Sequence, residues 1–143
     1  MTKLRGKVHE QKNLRLDGVP QTFLLPRTNT FELAADLDLN TADRITLQFT
    51  SGSTNSRPTV ITFTANEFKA FEAKTELALT GKAKALNLRI FVDRSVVEVF
   101  ANDTACATKV ISPLEPNATL EIQAEGTGAK AKRVQIWPLK SIW

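Results

Sequence analysis

The side chains that could perform chemistry are concentrated in residues 88–103, LRIFVDRSVVEVFAND. This segment carries three carboxylates, two guanidinium groups and a serine hydroxyl. Carboxylates and a hydroxyl this close together in sequence could form an active site that transfers protons to and from a substrate. The same residues could instead bend the chain and pair two strands, so the surrounding elements decide what chemistry is available.

The spacing of apolar residues predicts that this segment is a β-hairpin. If Arg94 and Ser95 form the turn, one side of the hairpin is entirely apolar, because successive strand residues point to opposite faces. Its cross-strand pairs are Leu88–Ala101, Ile90–Val99 and Val92–Val97. The other side pairs Phe91 with Glu98 and Arg89 with Phe100. Apolar residues on both sides indicate a hairpin that is central in its sheet.

The charged residues of the hairpin then have structural roles. Asp93 at the start of the turn is suited to accept hydrogen bonds from the following backbone N–H groups. A two-residue loop favours Asn or Gly, so a four-residue loop from Asp93 to Val96 is an alternative that keeps the same register. Arg94 belongs to the turn in both cases. Arg89 lies diagonally beside Glu98, which predicts a cross-strand ion pair of roughly 0.2–1 kcal/mol.

The remaining groups that could act as nucleophiles, bases or metal ligands are few. The chain has one cysteine, Cys106, and one histidine, His9, so a disulfide framework and a cysteine-based zinc site are excluded. A catalytic triad would have to use His9, which lies in a polar segment far from the serines of the strands. Cys106 lies in an apolar strand without a basic neighbour, which predicts a small buried side chain. No metal site and no cofactor are predicted.

Apolar and polar residues alternate with a period of two along most of the chain, as in 31–39, 86–92 and 120–124. Glycine- and proline-containing turns separate these runs, which predicts an all-β fold of two packed antiparallel sheets. Residues 66–76 fit either one helical turn or a short strand. We predict a polar lead-in over residues 1–13 and a single domain over 14–143.

The formal net charge of +4 does not by itself indicate a nucleic-acid partner. The densest basic groups alternate with alanine, which is typical of a solvent-facing strand or a guarded sheet edge: Lys82, Lys84, Lys130, Lys132 and Arg133. No apolar run approaches the roughly 20 residues that span a bilayer. The start has no apolar core behind its positive charges, so we expect no signal peptide and a cytoplasmic protein.

The hairpin segment closely resembles the signature of the C-terminal β-sandwich of glycoside hydrolase family 32, the fructan hydrolases and invertases. The ending Trp137–Trp143, WPLKSIW, is similar to the end of many of these enzymes, and Cys106–Pro113 resembles the strand that follows their hairpin. The resemblance covers roughly residues 30–143 and implies a concanavalin-like or lectin-like jelly roll. One departure is Asn102-Asp103-Thr104, where the family has Asn-Asp-Gly.

In that family the chemistry belongs to an N-terminal five-bladed propeller with Asn-Asp-Pro, Arg-Asp-Pro and Glu-Cys motifs. None of the three occurs here: Asn102-Asp103 precedes Thr, Asp93-Arg94 has the wrong order, and Cys106 follows Ala105. The resemblance therefore implies a non-catalytic accessory domain whose partner is the catalytic propeller, or a propeller subunit, of a β-fructosidase. On this interpretation, the first six residues lie in or just after an interdomain linker. A docking face without its partner would favour a homo-oligomer.

A stand-alone fructan-binding module is the alternative. Sugar sites use exposed aromatic rings together with polar groups that fix hydroxyls, and this chain has no tyrosine and only two tryptophans. We predict that Trp137 is a core or sheet-edge residue, and that Trp143 at the end is either free or docked. The residues predicted for a polar sugar site are Glu98, Asn102 and Asp103. An independent enzyme is the least favoured interpretation.

Overall fold

The computed structural model describes residues 8–16, 18, 20–26, 30–50, 58–70, 73–77, 79, 81, 84–94, 96–102, 105–110 and 118–139. These residues form twelve strands: β1 His9–Arg15, β2 Gln21–Leu24, β3 Thr30–Asp38, β4 Arg44–Thr50, β5 Thr59–Phe63, β6 Glu67–Ala70, β7 Ala73–Glu76, β8 Ala85–Asp93, β9 Val96–Ala101, β10 Ala105–Val110, β11 Thr119–Glu125 and β12 Lys130–Pro138. None of the described segments is a helix of the length and apolarity needed to cross a membrane.

The strands form two six-stranded antiparallel sheets. The first sheet has the order β1-β12-β3-β8-β9-β10, and the second has the order β2-β11-β4-β5-β6-β7. The predicted all-β, two-sheet antiparallel sandwich is confirmed. Because β12 lies between β1 and β3, strands from distant parts of the chain are neighbours in the first sheet.

The core lies between the sheets and contains the apolar residues of the period-two pattern. From β3 it takes Phe31, Leu33, Ala35 and Leu37, and from β8 it takes Leu86, Leu88, Ile90 and Val92. In the second sheet, Phe63 and Phe68 stack with their ring centroids 5.0 Å apart. Phe68 lies in β6 and β7 follows at Ala73–Glu76, so strand, and not a helical turn, is correct for these residues, and Phe71 lies outside the described residues.

The hairpin has the predicted register. Leu88 pairs with Ala101, Ile90 with Val99 and Val92 with Val97, and all six side chains are buried. Asp93 pairs with Val96, so the loop has two residues and the four-residue alternative is wrong. Arg94 adopts φ +55, the left-handed conformation that such loops require of a central residue. Ser95 lies outside the described residues.

The N-terminal strand overlaps the predicted lead-in. The structure describes this part of the chain from Val8, and His9–Lys12 pair with β12 from Ile136 back to Arg133. The sheet therefore begins inside the segment 1–13. The polar composition of this segment does not exclude a strand, because β1 is an edge strand whose side chains are mostly exposed.

The loop between β11 and β12 is fixed by hydrogen bonds from the loop between β3 and β4. Thr41 Oγ1 donates a hydrogen bond to the Thr127 carbonyl at 2.7 Å, and Asn40 Nδ2 donates one to the Gly128 carbonyl at 2.7 Å. Gly126 has φ +96, and a Cβ there would lie 2.9 Å from the Asp43 backbone nitrogen. Only glycine fits this conformation and this close approach without strain.

Candidate binding face on the first sheet

The face of the first sheet that points away from the core carries two adjacent groups of side chains. One group is apolar and lies on β8, β9 and β10. We call it the hairpin patch, and it consists of Phe91, Val96, Phe100 and Val110. Phe91 and Phe100 meet edge to face with centroids 6.1 Å apart. Val110 is 72% exposed, and the other three are half-buried.

The other group is polar and surrounds a cavity of about 310 Å³ on β12, β3 and β8. We call it the polar cavity. Its polar and aromatic lining consists of Asp36, Asn87, Arg89, Arg133, Gln135 and Trp137, and Ala34 and Leu88 complete it. The cavity size is at the lower end of the range, about 300–1,000 Å³, that is usual for small-molecule sites.

Asp36 organises the centre of the polar cavity. Its Oδ1 accepts a hydrogen bond from Asn87 Nδ2 at 2.6 Å, and its Oδ2 accepts one from Arg133 Nη2 at 3.2 Å. Asn87 and Arg133 are the residues directly opposite Asp36 on β8 and β12. The strand register alone therefore brings the three together, and the charge of Asp36 is offset by that of Arg133.

Arg89 is fixed from the neighbouring strand. Its Nε lies 3.7 Å from Glu32 Oε2, and Glu32 is completely buried although it belongs to the outer face of β3. Glu32 pairs in register with Trp137 on one side and Phe91 on the other. A buried carboxylate is costly unless it is paired or hydrogen-bonded, so Arg89 compensates a charge that lies beside two aromatic side chains.

Three acceptor or donor groups of the polar cavity have no partner in the part of the chain that the structure describes. They are Asn87 Oδ1, Gln135 Oε1 and the N–H groups of Arg133 that do not contact Asp36. Gln135 is held by its own amide, because Nε2 donates to Glu10 Oε2 at 2.5 Å. The cavity therefore presents fixed acceptors and donors to a bound molecule.

Of the three residues predicted to form a polar sugar site, the structure describes Asn102 and Glu98. Asn102 stabilises the hairpin, because its Oδ1 accepts from the Asn87 backbone N–H at 2.6 Å and its Nδ2 donates to the Ala85 carbonyl at 3.3 Å. Glu98 is exposed and lies opposite Phe91. Asp103 lies outside the described residues, as does Trp143.

The ion pair predicted within the hairpin is replaced by a pair with β3. Among the described residues the partner of Arg89 is Glu32, and no ion pair joins Arg89 to Glu98, so the predicted cross-strand pair is wrong. Thr30 Oγ1 lies 3.5 Å from Asp93 Oδ1, a contact between β3 and the turn. Arg94 is exposed in the turn.

Cys106 is exposed, so the prediction of a buried side chain is wrong. Its strand, β10, is an edge strand, and Cys106 lies opposite Phe100 on the outer face. His9 is exposed on the opposite edge strand, paired in register with Ile136. Within the described ranges no group of three or more histidine, cysteine, aspartate or glutamate residues could hold a metal ion.

The residues of the polar cavity were not identified from the sequence as a site. Asp36, Asn87 and Gln135 are ordinary polar positions in alternating strands, and only the strand order makes them neighbours. Trp137 is half-buried on the outer face of β12, one position past the last residue that pairs with β1, so the predicted core position is wrong. The alternating pattern could have identified the outward position of Trp137, because Trp137 directly follows Ile136, which is buried.

The fold defines a lectin-like β-sandwich domain. The structure is similar to the galectin LEC-6 of Caenorhabditis elegans, with a TM-score of 0.59 and 13% identity over 89% of this chain and 94% of the galectin. The profile "Glycosyl hydrolases family 32 C terminal" matches residues 1–138, so the chain belongs to this family as its non-catalytic C-terminal domain. The predicted jelly-roll type and the predicted family are confirmed.

One curated relative and two solved structures are also similar to this chain. The levanase of Bacillus subtilis (strain 168) is 28% identical over 158 residues, which include 98% of this chain and 23% of the levanase. Exo-inulinase from Aspergillus awamori has a similar fold, with a TM-score of 0.71 and 19% identity over 99% of this chain and 31% of that protein. Sucrose-6-phosphate hydrolase from Lactobacillus gasseri has a TM-score of 0.67 and 20% identity, over 99% and 30% respectively.

Proposed function

We propose that this domain is an accessory module that docks onto the catalytic propeller of a fructan- or sucrose-active hydrolase and stabilises it. The observation that carries this proposal is the match of residues 1–138 to the family's C-terminal domain. The chain spans only 23% of the levanase and about 30% of two solved relatives. The catalytic activity of such a hydrolase would then reside in the part of its chain that this domain does not match.

The hairpin patch is the surface that best fits such a partner. Aromatic residues and arginine are enriched at protein interfaces, whereas lysine and glutamate are depleted from interface cores. The hairpin patch joins Phe91 and Phe100 to an exposed Val110, and Arg89 lies beside it. An apolar side chain that is 72% exposed on an edge strand gains most when a second surface covers it.

The hairpin signature supports the same surface. The inward residues of the hairpin need only be apolar to fill the core. The outward residues Arg89, Phe91, Glu98 and Phe100 belong to the segment 88–103 that resembles the family's hairpin. On the proposed function, these outward side chains would meet the second domain.

Docking would stabilise the propeller by mass action. A partner that binds only the folded state adds RT ln(1 + [L]/Kd), about 2.7 kcal/mol when the module is present at 100 times Kd. The expected result is a longer half-life of hydrolase activity on heating when the module is supplied. The substrate selectivity of the propeller should stay the same, because the module contributes no catalytic carboxylate.

The test is to mix the module with a family propeller from the same genome, expressed without its own sandwich. Co-elution in size-exclusion chromatography and the half-life of sucrose or fructan hydrolysis are measured. Val110→Asp places a charge in the hairpin patch and should weaken the complex at least tenfold, about 1.4 kcal/mol. Leu24→Asp is the matched control, because Leu24 is 69% exposed on the outer face of the second sheet.

The proposal is wrong if the propeller neither co-elutes with the module nor survives longer in its presence. Equal loss of binding in the Val110→Asp and Leu24→Asp variants would exclude the hairpin patch as the docking surface. A module that self-associates through the hairpin patch would be a homo-oligomer, and light scattering would then show a smaller mass for Val110→Asp. Sucrose cleavage by the module alone would contradict its accessory role.

The second candidate function is a carbohydrate-binding module. The specific observation that favours it is the polar cavity with its half-buried tryptophan. The two functions do not exclude each other, because the hairpin patch and the polar cavity are separate groups of side chains on the same face.

A further inference from the structure

We propose that the polar cavity binds one fructosyl unit, or a short run of them, of a neutral oligosaccharide. The site itself follows from the geometry of β3, β8 and β12. The choice of a fructose-based sugar among neutral sugars rests on the proposed function. The ligand would lie beside the hairpin patch, so it would be adjacent to a docked propeller.

The balance of charges in the cavity selects a neutral ligand. Arg133 is paired with Asp36, and Arg89 is paired with Glu32. Glu10, which accepts from Gln135, is paired with Lys12 at 3.5 Å. Each formal charge beside the cavity therefore has an opposite charge within 4 Å. An anion such as phosphate would compete with the existing carboxylates for both guanidinium groups.

The unpartnered groups of the cavity select hydroxyl groups. A hydroxyl donates one hydrogen bond and accepts others. Asn87 Oδ1 and Gln135 Oε1 are available acceptors, and the remaining N–H groups of Arg133 are available donors. Neighbouring hydroxyls on a sugar ring match a site that offers both kinds of group at fixed positions. A purely apolar ligand would leave all of them unsatisfied.

The half-buried Trp137 supplies the apolar contact. Sites for small ligands combine aromatic surface with a few positioned polar groups. Trp137 lies at the cavity margin, opposite the buried Glu32 in register. The C–H face of one furanose ring can cover the exposed part of the indole, while hydroxyls of a neighbouring unit reach Arg133 and Asn87, which lie four positions along the sheet.

The experiment is a titration of the purified chain with inulin-derived and levan-derived tetrasaccharides. The chain has two tryptophans, so Trp143→Phe leaves Trp137 as the only tryptophan reporter. We expect a saturable change in tryptophan fluorescence in the millimolar range, and calorimetry should return the same Kd. Cellotetraose and inorganic phosphate are the control ligands, and neither should bind within fivefold of that affinity.

Two variants test the site. Asn87→Ala should raise Kd about tenfold, because it removes an acceptor and releases Asp36. Gln135→Ala should raise Kd about threefold and does not involve the Asp36 network, so it covers the case in which Asn87→Ala does not fold. Gln48→Ala, a polar position on the outer face of the second sheet, should leave Kd unchanged. Thermal melts confirm that each variant is folded.

Several results would overturn the proposal. They are the absence of saturation at tens of millimolar fructan, tighter binding of phosphate than of sugar, equal binding of cellotetraose, and equal weakening by Gln48→Ala. These outcomes are independent of the docking test. The docking test uses Val110→Asp and a propeller, and it contains no oligosaccharide.

Discussion

Arg89→Met tests whether the buried Glu32 depends on its partner from β8. Methionine keeps an unbranched apolar stem and removes the charge, so lost packing contributes little to the result. At 3.7 Å the pair would be worth about 4 kcal/mol at an effective dielectric constant near 20. Arg89 is 55% exposed, so solvent screening reduces this attraction, and we expect a loss of about 1–2 kcal/mol in the free energy of unfolding.

The measurement is urea denaturation of the four proteins of a double-mutant cycle: wild type, Arg89→Met, Glu32→Gln and the double variant. In the Glu32→Gln background, where the carboxylate is replaced by a neutral amide, the loss of Arg89 should cost less than about 0.5 kcal/mol. The coupling between the two residues should be about 1 kcal/mol or more. If Arg89→Met costs the same in the wild-type and Glu32→Gln backgrounds, the ion pair does not stabilise the fold and the reasoning fails.

Two further predictions follow from backbone geometry and exposure. Gly126→Ala should lower the free energy of unfolding by at least about 2 kcal/mol, because its Cβ would meet the Asp43 backbone. Gly81→Ala has a similar positive φ and open space around it, so it should cost about 1 kcal/mol in the same chemical denaturation experiment. Cys106 should react with a thiol reagent in the folded protein at nearly the rate measured in urea. A rate at least tenfold slower in the folded state would contradict its exposure.

The alternating pattern was sufficient to predict the hairpin and the two-sheet architecture. Within 88–103 every predicted apolar pair is present, because a register error of one residue would expose the whole apolar face. The loop length was harder to predict, because Arg94 adopts a positive φ that is uncommon for a residue with a side chain. The strand β1 was hidden by its polar composition, which is typical of an exposed edge.

The wrong partner for Arg89 shows what local sequence could not supply. Arg89 has a diagonal carboxylate neighbour on each side: Glu98 on β9 and Glu32 on β3. The hairpin makes Glu98 visible from the sequence, whereas Glu32 lies more than fifty residues earlier in the chain. The same limit applies to the polar cavity, whose strands come from three distant parts of the chain and become neighbours only through the strand order.

The acidic residues of β3 connect the stability of the sheet with the properties of its outer face. Glu32, Asp36 and Asp38 lie among the core residues of this strand, and each has a basic partner on a neighbouring strand. Their partners are Arg89 on β8, and Arg133 and Lys132 on β12. A one-residue slip of β3 would direct the carboxylates into the core, so burial and ionic pairing specify the same register.

This arrangement has a consequence for binding. The charges of the three acidic side chains are offset within the sheet, so the central part of the outer face presents fixed polar groups with little net field. Long-range electrostatic attraction from this part of the face is therefore weak. Such a surface favours ligands and partners recognised through hydrogen bonds and apolar contact. A sugar unit in the polar cavity and a second domain on the hairpin patch both meet that requirement.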